Sequence, residues 1–333
     1  MTNAPHSTKL LRGLLIIVTL ISLGCQPAER ASQGPPRKLT LAMRAAPYSG
    51  LIAIADEKGY FKEAGLEVVL NLYPSGKQAL EAVCRGEAEV ATVADSAFAA
   101  KAHEEPSIRV LASIGTTEAE QIVARRDRNI QNPADLAGKR VGFSNDTTSE
   151  YFLYAFLMTE NIPQKSITLV HIPASQQAEA LINGDVDAIS AFELKAFDAK
   201  KHLGDNAVSW DSQGTLAYHW LLAVNEDTTT SSESLKRLLE ALIKAENFAI
   251  INEKETKSII SQKWGLDPVF LQDIWSKTRL SVSFGQSVVI ALQEYTNWKI
   301  KKAGKPIDET NVLNYLYTAI LDEVAPSLVT IFR

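Results

Sequence analysis

Cysteine is nearly absent from this chain: two residues in 333, Cys25 and Cys84. Cys84 sits between Val83 and Arg85 in an apolar helical stripe, where a thiol behaves as a small buried apolar group. Cys25 lies ahead of the body, so no disulfide is expected within the body and the fold must rest on its core. Long hydrophobic runs are missing too. The leader's run, LLIIVTLISL over residues 14–23, is shorter than the ~20 residues a membrane helix needs. No HExxH, CxxC, G-x-S-x-G or glycine-rich phosphate loop occurs. His103, His171, His202 and His219 are scattered without the spacing of a metal pair. No metal, no cofactor and no enzymatic activity are therefore expected. Positive charge is also short. The first 24 residues hold Lys9, Arg12 and no acid, and without them 32 basic residues face 39 acidic ones, a net of −7. With no basic patch carrying interleaved aromatics, nucleic acid is not an expected partner.

Lys9 and Arg12 precede the apolar run, and a charged start before a short apolar core has the form of a signal peptide over residues 1–24. It ends in Ser22-Leu23-Gly24-Cys25, which resembles a bacterial lipobox, with Ser22 where an aliphatic residue is usual. The resemblance implies lipidation of the Cys25 thiol and anchoring to a membrane, in the periplasm or at the cell surface. Ordinary cleavage nearby is the alternative. Residues 25–37, rich in Pro, Gly, Ser and Gln, read as a flexible tether.

The body carries one passage twice. Residues 78–95 read QALEAVCRGEAEVATVAD and residues 176–193 read QQAEALINGDVDAISAFE. In each copy an apolar helical stripe runs into a glycine, Gly86 or Gly184, which closes a helix in the left-handed conformation. An acidic-apolar alternation suited to a short strand follows. Upstream, strands are predicted at 39–43 and 140–143, helices at 51–60 and 151–161, and second strands at 68–72 and 167–172. Two β-α-β-α-β units about a hundred residues apart imply an α/β fold of two similar lobes, each a mostly parallel sheet flanked by helices. Such sheets bind ligands outside the carboxyl ends of their strands, so two facing edges make a cleft.

A third helix of lobe one is expected after an Asp95-Ser96 cap, then strands at 108–115 and 121–125 and a short helical turn at 132–139. A strand at 215–225 returns from the second lobe. Lobe one is thus expected over 38–122 and 221–333 and lobe two over 123–220, joined by crossings near 118–128 and 210–220 that form a two-strand hinge. After residue 225 the apolar period becomes 3.6. Thr230-Ser-Ser-Glu233 has the form of a capping box, and further helices are predicted at 253–264, 268–277, 286–302 and 311–321.

Several segments together resemble the solute-binding proteins of bacterial ABC importers for nitrate, alkanesulfonates, taurine and thiamine precursors. They are IAIADEKGYFKEAGLEV over 52–68, Ala79-Leu80 with Gly86-Glu-Ala-Glu-Val90, NPADLAGKRVG over 132–142, and Gly184-Asp-Val-Asp-Ala188. Phe192-Glu193-Leu194 falls where the family usually has Trp-Glu-Pro. The resemblance covers residues 38–325. It implies a two-lobed type II periplasmic binding fold with a C-terminal helical segment, acting as a monomer. The fold closes on a small-molecule solute and hands it to an ABC permease with its ATPase. A ligand-sensing subunit for a membrane signalling protein, or a pyrimidine-synthesis enzyme of the same fold, are the other roles the resemblance leaves open.

The strand-end loops supply the candidate ligand contacts. From lobe one these are Arg44, Tyr48, Ser75, Gly76, Asp95, Ser96, Thr117 and Glu118, with Tyr73 and Lys77 beside them. From lobe two and the return strand they are Asn145, Thr147, Thr148, Phe192, Glu193 and Trp220. Thr147-Thr148-Ser149-Glu150 has the form of a capping box, with Glu150 folding back onto the amide of Thr147. Its acids oppose the positive field that a helix N-terminus offers an anion. Asp95, Glu118, Asp146, Glu150 and Glu193 outnumber Arg44 and Lys77 near the cleft. That balance favours an organic solute carrying an amine or a heterocyclic donor edge, such as a zwitterionic sulfonate or a pyrimidine, over bare nitrate or sulfate.

Overall fold

The computed structural model describes residues 1–2, 35–211, 217–227, 231–304 and 311–332. Residues 3–24 of the expected signal peptide, Cys25 and most of the tether lie outside the described residues. The chain divides into the units Met1–Ala31 and Ser32–Arg333, and the second holds everything below.

The first half of lobe one runs β1 (Arg37–Met43), α1 (Gly50–Glu57), α2 (Tyr60–Glu63), β2 (Leu66–Leu72), α3 (Gly76–Cys84), β3 (Val90–Ala94), α4 (Asp95–Ala102) and β4 (Ile108–Thr117). The chain then crosses to β5 (Gln121–Arg125), β6 (Arg140–Phe143), α5 (Thr148–Thr159), β7 (Thr168–His171), α6 (Gln177–Asn183), β8 (Ala188–Ala191), α7 (Glu193–Leu203) and β9 (Ala207–Asp211). It returns with β10 (Tyr218–Asn225) and finishes with α8 (Ser232–Ile251), α9 (Glu253–Trp264), α10 (Pro268–Ile274), β11 (Thr278–Gly285), α11 (Gln286–Lys302), α12 (Thr318–Val324) and β12 (Val329–Thr330).

Two sheets result. The first has the order β12-β11-β4-β10-β3-β1-β2 and the second β7-β6-β8-β5-β9. The run β2-β1-β3-β10-β4 corresponds strand for strand to β7-β6-β8-β5-β9. In each, three parallel strands are followed by an antiparallel pair. The repeated passage occupies equivalent places: α3 leads to β3 past Gly86 (φ +73°), and α6 leads to β8 past Gly184 (φ +81°).

In the second sheet the period of two separates two cores. Ile122 and Ala124 of β5 face Val141, Phe152 and Phe156, whereas Val123 between them faces Ile172, Leu181 and Ile189. Lobe one has a single larger core that takes in Leu238 and Leu242 of α8 and Leu292 and Tyr295 of α11.

The lobes meet at paired strand ends. Tyr218 lies opposite Thr117 where β10 and β4 end, and Gln121 lies opposite Asp211 where β5 and β9 end. Residues 118–120 carry the outward crossing. Residues 212–216 of the expected return crossing are outside the described residues.

Local departures from the sequence expectations have physical causes. The helix expected over 51–60 stops at Glu57, with Lys58 as its C-cap and Gly59 at φ +75°, and restarts at Tyr60. Asp95 is the first residue of α4, with Ala94 as its cap, rather than a cap itself. Thr230 is outside the described residues. Ser231 caps α8 without a side-chain bond, and Glu233 pairs with Arg237 one turn on, so the capping box is not made. The helix expected at 311–321 breaks into a 3-10 turn, Val312–Tyr315, and α12. Strands β9, β11 and β12 and helix α7 are additions.

Candidate functional site

The carboxyl ends of β1, β3, β6 and β8 point at one another across the cleft. Between them lies a cavity of about 30 Å³ walled by both lobes. Arg44 and Tyr48 follow β1. Ser75, Gly76 and Lys77 open α3, and Ala94 and Ala97 flank the start of α4. Thr117 and Glu120 come from the outward crossing, Thr147 and Thr148 from the start of α5, Phe192 from the end of β8, and Tyr218 and Trp220 from β10. Alternation along β10 puts Tyr218 and Trp220 on the cavity side. His219 between them is buried near Ser113, with its ring nitrogen 3.5 Å from that hydroxyl. Burial pushes His219 down to about 4.

Gly76 is packed tightly against this wall. A Cβ there would stand 2.8 Å from the Trp220 ring and 2.9 Å from the Val93 Cα, so only glycine lets the indole lie against the start of α3. Ser75 caps that helix by accepting from the Gln78 amide.

One ion pair spans the cavity. Arg44 Nη2 donates to Glu193 Oε1 at 2.8 Å, with side chains 11% and 2% exposed. Arg44 also bonds the Tyr48 hydroxyl, which lies 3.3 Å from the same carboxylate oxygen. The guanidinium carbon is 5.2 Å from the Phe192 ring centre and 5.9 Å from that of Tyr48. Tyr48 and Trp220 pack with ring centres 4.6 Å apart. Burial opposes the Arg44 charge, but Glu193, with Tyr48 and Glu120, outweighs it and holds the guanidinium firmly protonated.

Two further acids are buried here. Asp95 accepts from the amides of Ser96 (2.6 Å) and His219 (2.9 Å); burial pushes it up to about 7 against those two bonds. Glu120 accepts from the Thr148 hydroxyl at 2.7 Å through one oxygen only. Burial first, then the Glu193 carboxylate, push it up to about 8. Among the described residues, four buried polar atoms without a protein partner belong to the cavity wall, Thr117 Oγ1, Glu120 Oε2, Tyr218 Oη and Trp220 Nε1, and Ser96 Oγ lies just behind it. Surface grooves of about 350 Å³ beside Trp298 and about 570 Å³ beside Arg37 have no such atoms in their walls.

The loop at the start of α5 is tied down by its own atoms. Thr147 Oγ1 donates to the Ser144 carbonyl, and Ser149 Oγ donates to the Ser190 carbonyl. Glu150 does fold back, but onto the amide of Asp146 (2.9 Å) rather than that of Thr147, because Asp146 takes φ +56° and turns its own N–H inward. The acids of this loop face lysines of lobe one: Asp146 pairs with Lys77 and Lys299, and Glu150 with Lys302.

Of the residues singled out from sequence, the fold brings Arg44, Tyr48, Ser75, Gly76, Thr117, Thr147, Thr148, Phe192 and Trp220 into the cavity wall, with Glu193 bonded to Arg44. Asp95 and Ser96 lie behind the wall, fully buried. Glu118 is half-buried on the outer side, where its amide bonds the Lys277 carbonyl. Asn145 is exposed beside His171, and Tyr73 packs on the lobe-one core. Glu120, Tyr218 and Ala97 are wall residues that sequence reasoning missed, whereas Ala94 belongs to a strand-end loop that the sequence points to. The i, i+2 alternation around Trp220 was the available signal for Tyr218.

Two α/β lobes joined by two crossings, with a polar and aromatic cavity at their facing strand ends, define a periplasmic binding protein fold. Residues 46–256 match the NMT1/THI5 like family, and the chain belongs to that family. The taurine-binding periplasmic protein of Escherichia coli is 28% identical over 160 residues, 47% of this chain and 48% of that protein. The alkanesulfonate-binding protein SsuA from Xanthomonas axonopodis pv. citri, solved bound to MOPS, superposes with a TM-score of 0.72 at 18% identity. That match covers 86% of this chain and all of the other. The desulfurization enzyme DSZB shares the fold as well, with a TM-score of 0.60 at 16% identity over 86% of this chain and 99% of that one.

Proposed function

We propose that this chain is an extracytoplasmic solute-binding protein, lipid-anchored through Cys25, that captures a small organic solute between its lobes and delivers it to an ABC permease and its ATPase. The observation that carries this is the composition of the cavity. Both lobes wall it, the Arg44–Glu193 pair bridges it, and unpartnered hydroxyl, indole and carboxylate groups converge on it. Buried polar groups are normally satisfied, so a cluster of unsatisfied ones marks a place that a polar solute completes. The taurine-binding and alkanesulfonate-binding relatives support a sulfonate among the solutes.

The site's charges favour a solute with an amine or donor edge, such as a zwitterionic sulfonate or a pyrimidine. The space of about 30 Å³ admits little more than a water molecule or two, so the free protein must hold its lobes further apart about the two crossings and close them on an entering solute.

The test is a thermal-shift screen with taurine, ethanesulfonate, pyrimidines, nitrate and sulfate. A true ligand at a hundred times its dissociation constant stabilises by about 2.7 kcal/mol. Stabilisation by an organic amine or sulfonate, with a smaller radius of gyration in solution scattering, is the expected result. Tight binding of nitrate or sulfate alone overturns the charge argument, and an unchanged scattering profile at saturation overturns closure.

A further inference from the structure

We propose that Glu120 selects the solute: its free carboxylate oxygen accepts a hydrogen bond from a protonated amine on the ligand. This rests on the solute-binding role above and adds the residue and the chemistry that discriminate within it.

Glu120 is 4% exposed and lines the cavity from the outward crossing. Oε1 is held by Thr148, and Oε2 is buried with no partner. The nearby cations are committed elsewhere, since Arg44 pairs with Glu193 and Lys77 with Asp146. A buried carboxylate without a cation is costly to ionise. Glu193 has its cation in Arg44, and Asp95, the other buried acid here, is satisfied by two backbone N–H groups, so the unmet demand falls on Glu120. Tyr48, Phe192, Tyr218 and Trp220 stand around the same space, and aromatic faces attract a desolvated cation. A carboxylate oxygen inside an aromatic wall is the arrangement that recognises an ammonium group.

The groups that face Glu120 are Arg44 from the loop after β1, Tyr48 beyond it, Glu193 at the start of α7, Thr148 on α5 and Tyr218 on β10. Burial and Glu193 favour the protonated form, and Arg44 and Thr148 oppose them. An arriving ammonium shifts the balance toward the carboxylate. Capture of an amine therefore releases a proton near neutral pH, and capture of the same molecule without its amine does not.

The experiment is calorimetric titration with two matched pairs, taurine against ethanesulfonate and 4-(aminomethyl)pyrimidine against 4-methylpyrimidine. Wild type and E120Q are each titrated in phosphate and in Tris. The expected result is a preference for the amine member of about 10- to 100-fold, the range of a hydrogen bond to a charged group. Proton release should show as a buffer-dependent heat in wild type, and both effects should disappear in E120Q. Binding without amine preference, or a preference that survives in E120Q, overturns the assignment while leaving the solute-binding role intact. If E120Q does not fold by circular dichroism, the wild-type titrations decide: binding without amine preference overturns the assignment. No binding by any of the four probes removes the ligand class proposed above, and this assignment falls with it.

Discussion

Asp95 and Glu193 hold the same place in the two lobes. Each is the last residue of its copy of the repeated passage and the first residue of the helix after the third parallel strand. Asp95 turns back into its own lobe, where it accepts from Ser96 and His219 and fastens α4 to β10. Glu193, one methylene longer, reaches across the cleft to Arg44 and Tyr48. One backbone position therefore serves as an internal fastening in lobe one and as a bridge between lobes from lobe two. The difference lies in side-chain length and in what the opposing surface offers, since β10 presents a backbone N–H to Asp95 and the loop after β1 presents a guanidinium to Glu193.

The largest effect that sharpens this contrast is at the bridge. Arg44→Met leaves Glu193 buried without its cation and should cost about 3–5 kcal/mol in urea denaturation. Adding Glu193→Leu should recover much of that loss. A cost below about 1 kcal/mol in the single variant would show that water replaces the guanidinium, and the bridge would then differ from the fastening only in geometry.

Asp95→Asn comes next, with an expected loss of about 1–3 kcal/mol from a buried amide left poorly paired. It should also change the pH profile. Asp95 titrates at about 7 in the fold against an ordinary 3.8, so the folded state holds its proton the more tightly. Its contribution is fully present below pH 3.8 and is lost as pH rises through 7. His219, lowered to about 4, works in the opposite sense: its contribution is present above 6.5 and lost as pH falls through 4. Subtracting the Asp95→Asn profile from that of wild type isolates the acid. A difference that stays flat between pH 4 and 7.5 would contradict the assigned burial of its charge.

Gly86→Ala and Gly184→Ala test the repeat itself. Each places a side chain at positive φ, and each should lower stability by about 1–2 kcal/mol. The cost at 184 should be slightly greater, because its Cβ meets the Arg128 guanidinium at 2.9 Å and that of residue 86 meets nothing within 4 Å. The smallest effect belongs to an exposed pair between the lobes, Lys201 with Asp267 at 2.9 Å. Lys201→Ala should change stability by less than about 1 kcal/mol, and the change should fade in high salt.

The repeated half of the fold was legible because a glycine-closed helix and an apolar strand each leave a strong local pattern. Strand β11 was not, although Val282 and Phe284 alternate inward along it, because it lies between two helical runs whose longer period dominates the window. At the cleft, Arg44, Tyr48 and Phe192 could be placed because they follow predicted strand ends. Glu120 could not. Glu118 and Glu120 are two positions apart and would share a face on a continuous strand. The chain leaves the pleat between β4 and β5, so only Glu120 lines the cavity. That turn depends on Lys277, over 150 positions away in sequence, and no local pattern reveals it.

The pairing of Thr117 with Tyr218 has a consequence for the order in which the molecule can be assembled. β4 and β10 are antiparallel neighbours, so the whole of lobe two stands where a hairpin would have its turn. All five strands of the second sheet are contiguous in the chain, whereas lobe one must wait for β10 to fill the gap between β3 and β4. A chain emerging from its N-terminus therefore holds a complete guest domain before its host can close. The host's sheet is finished only by a strand made after the guest, and the strand edges of β3 and β4 stay open until then.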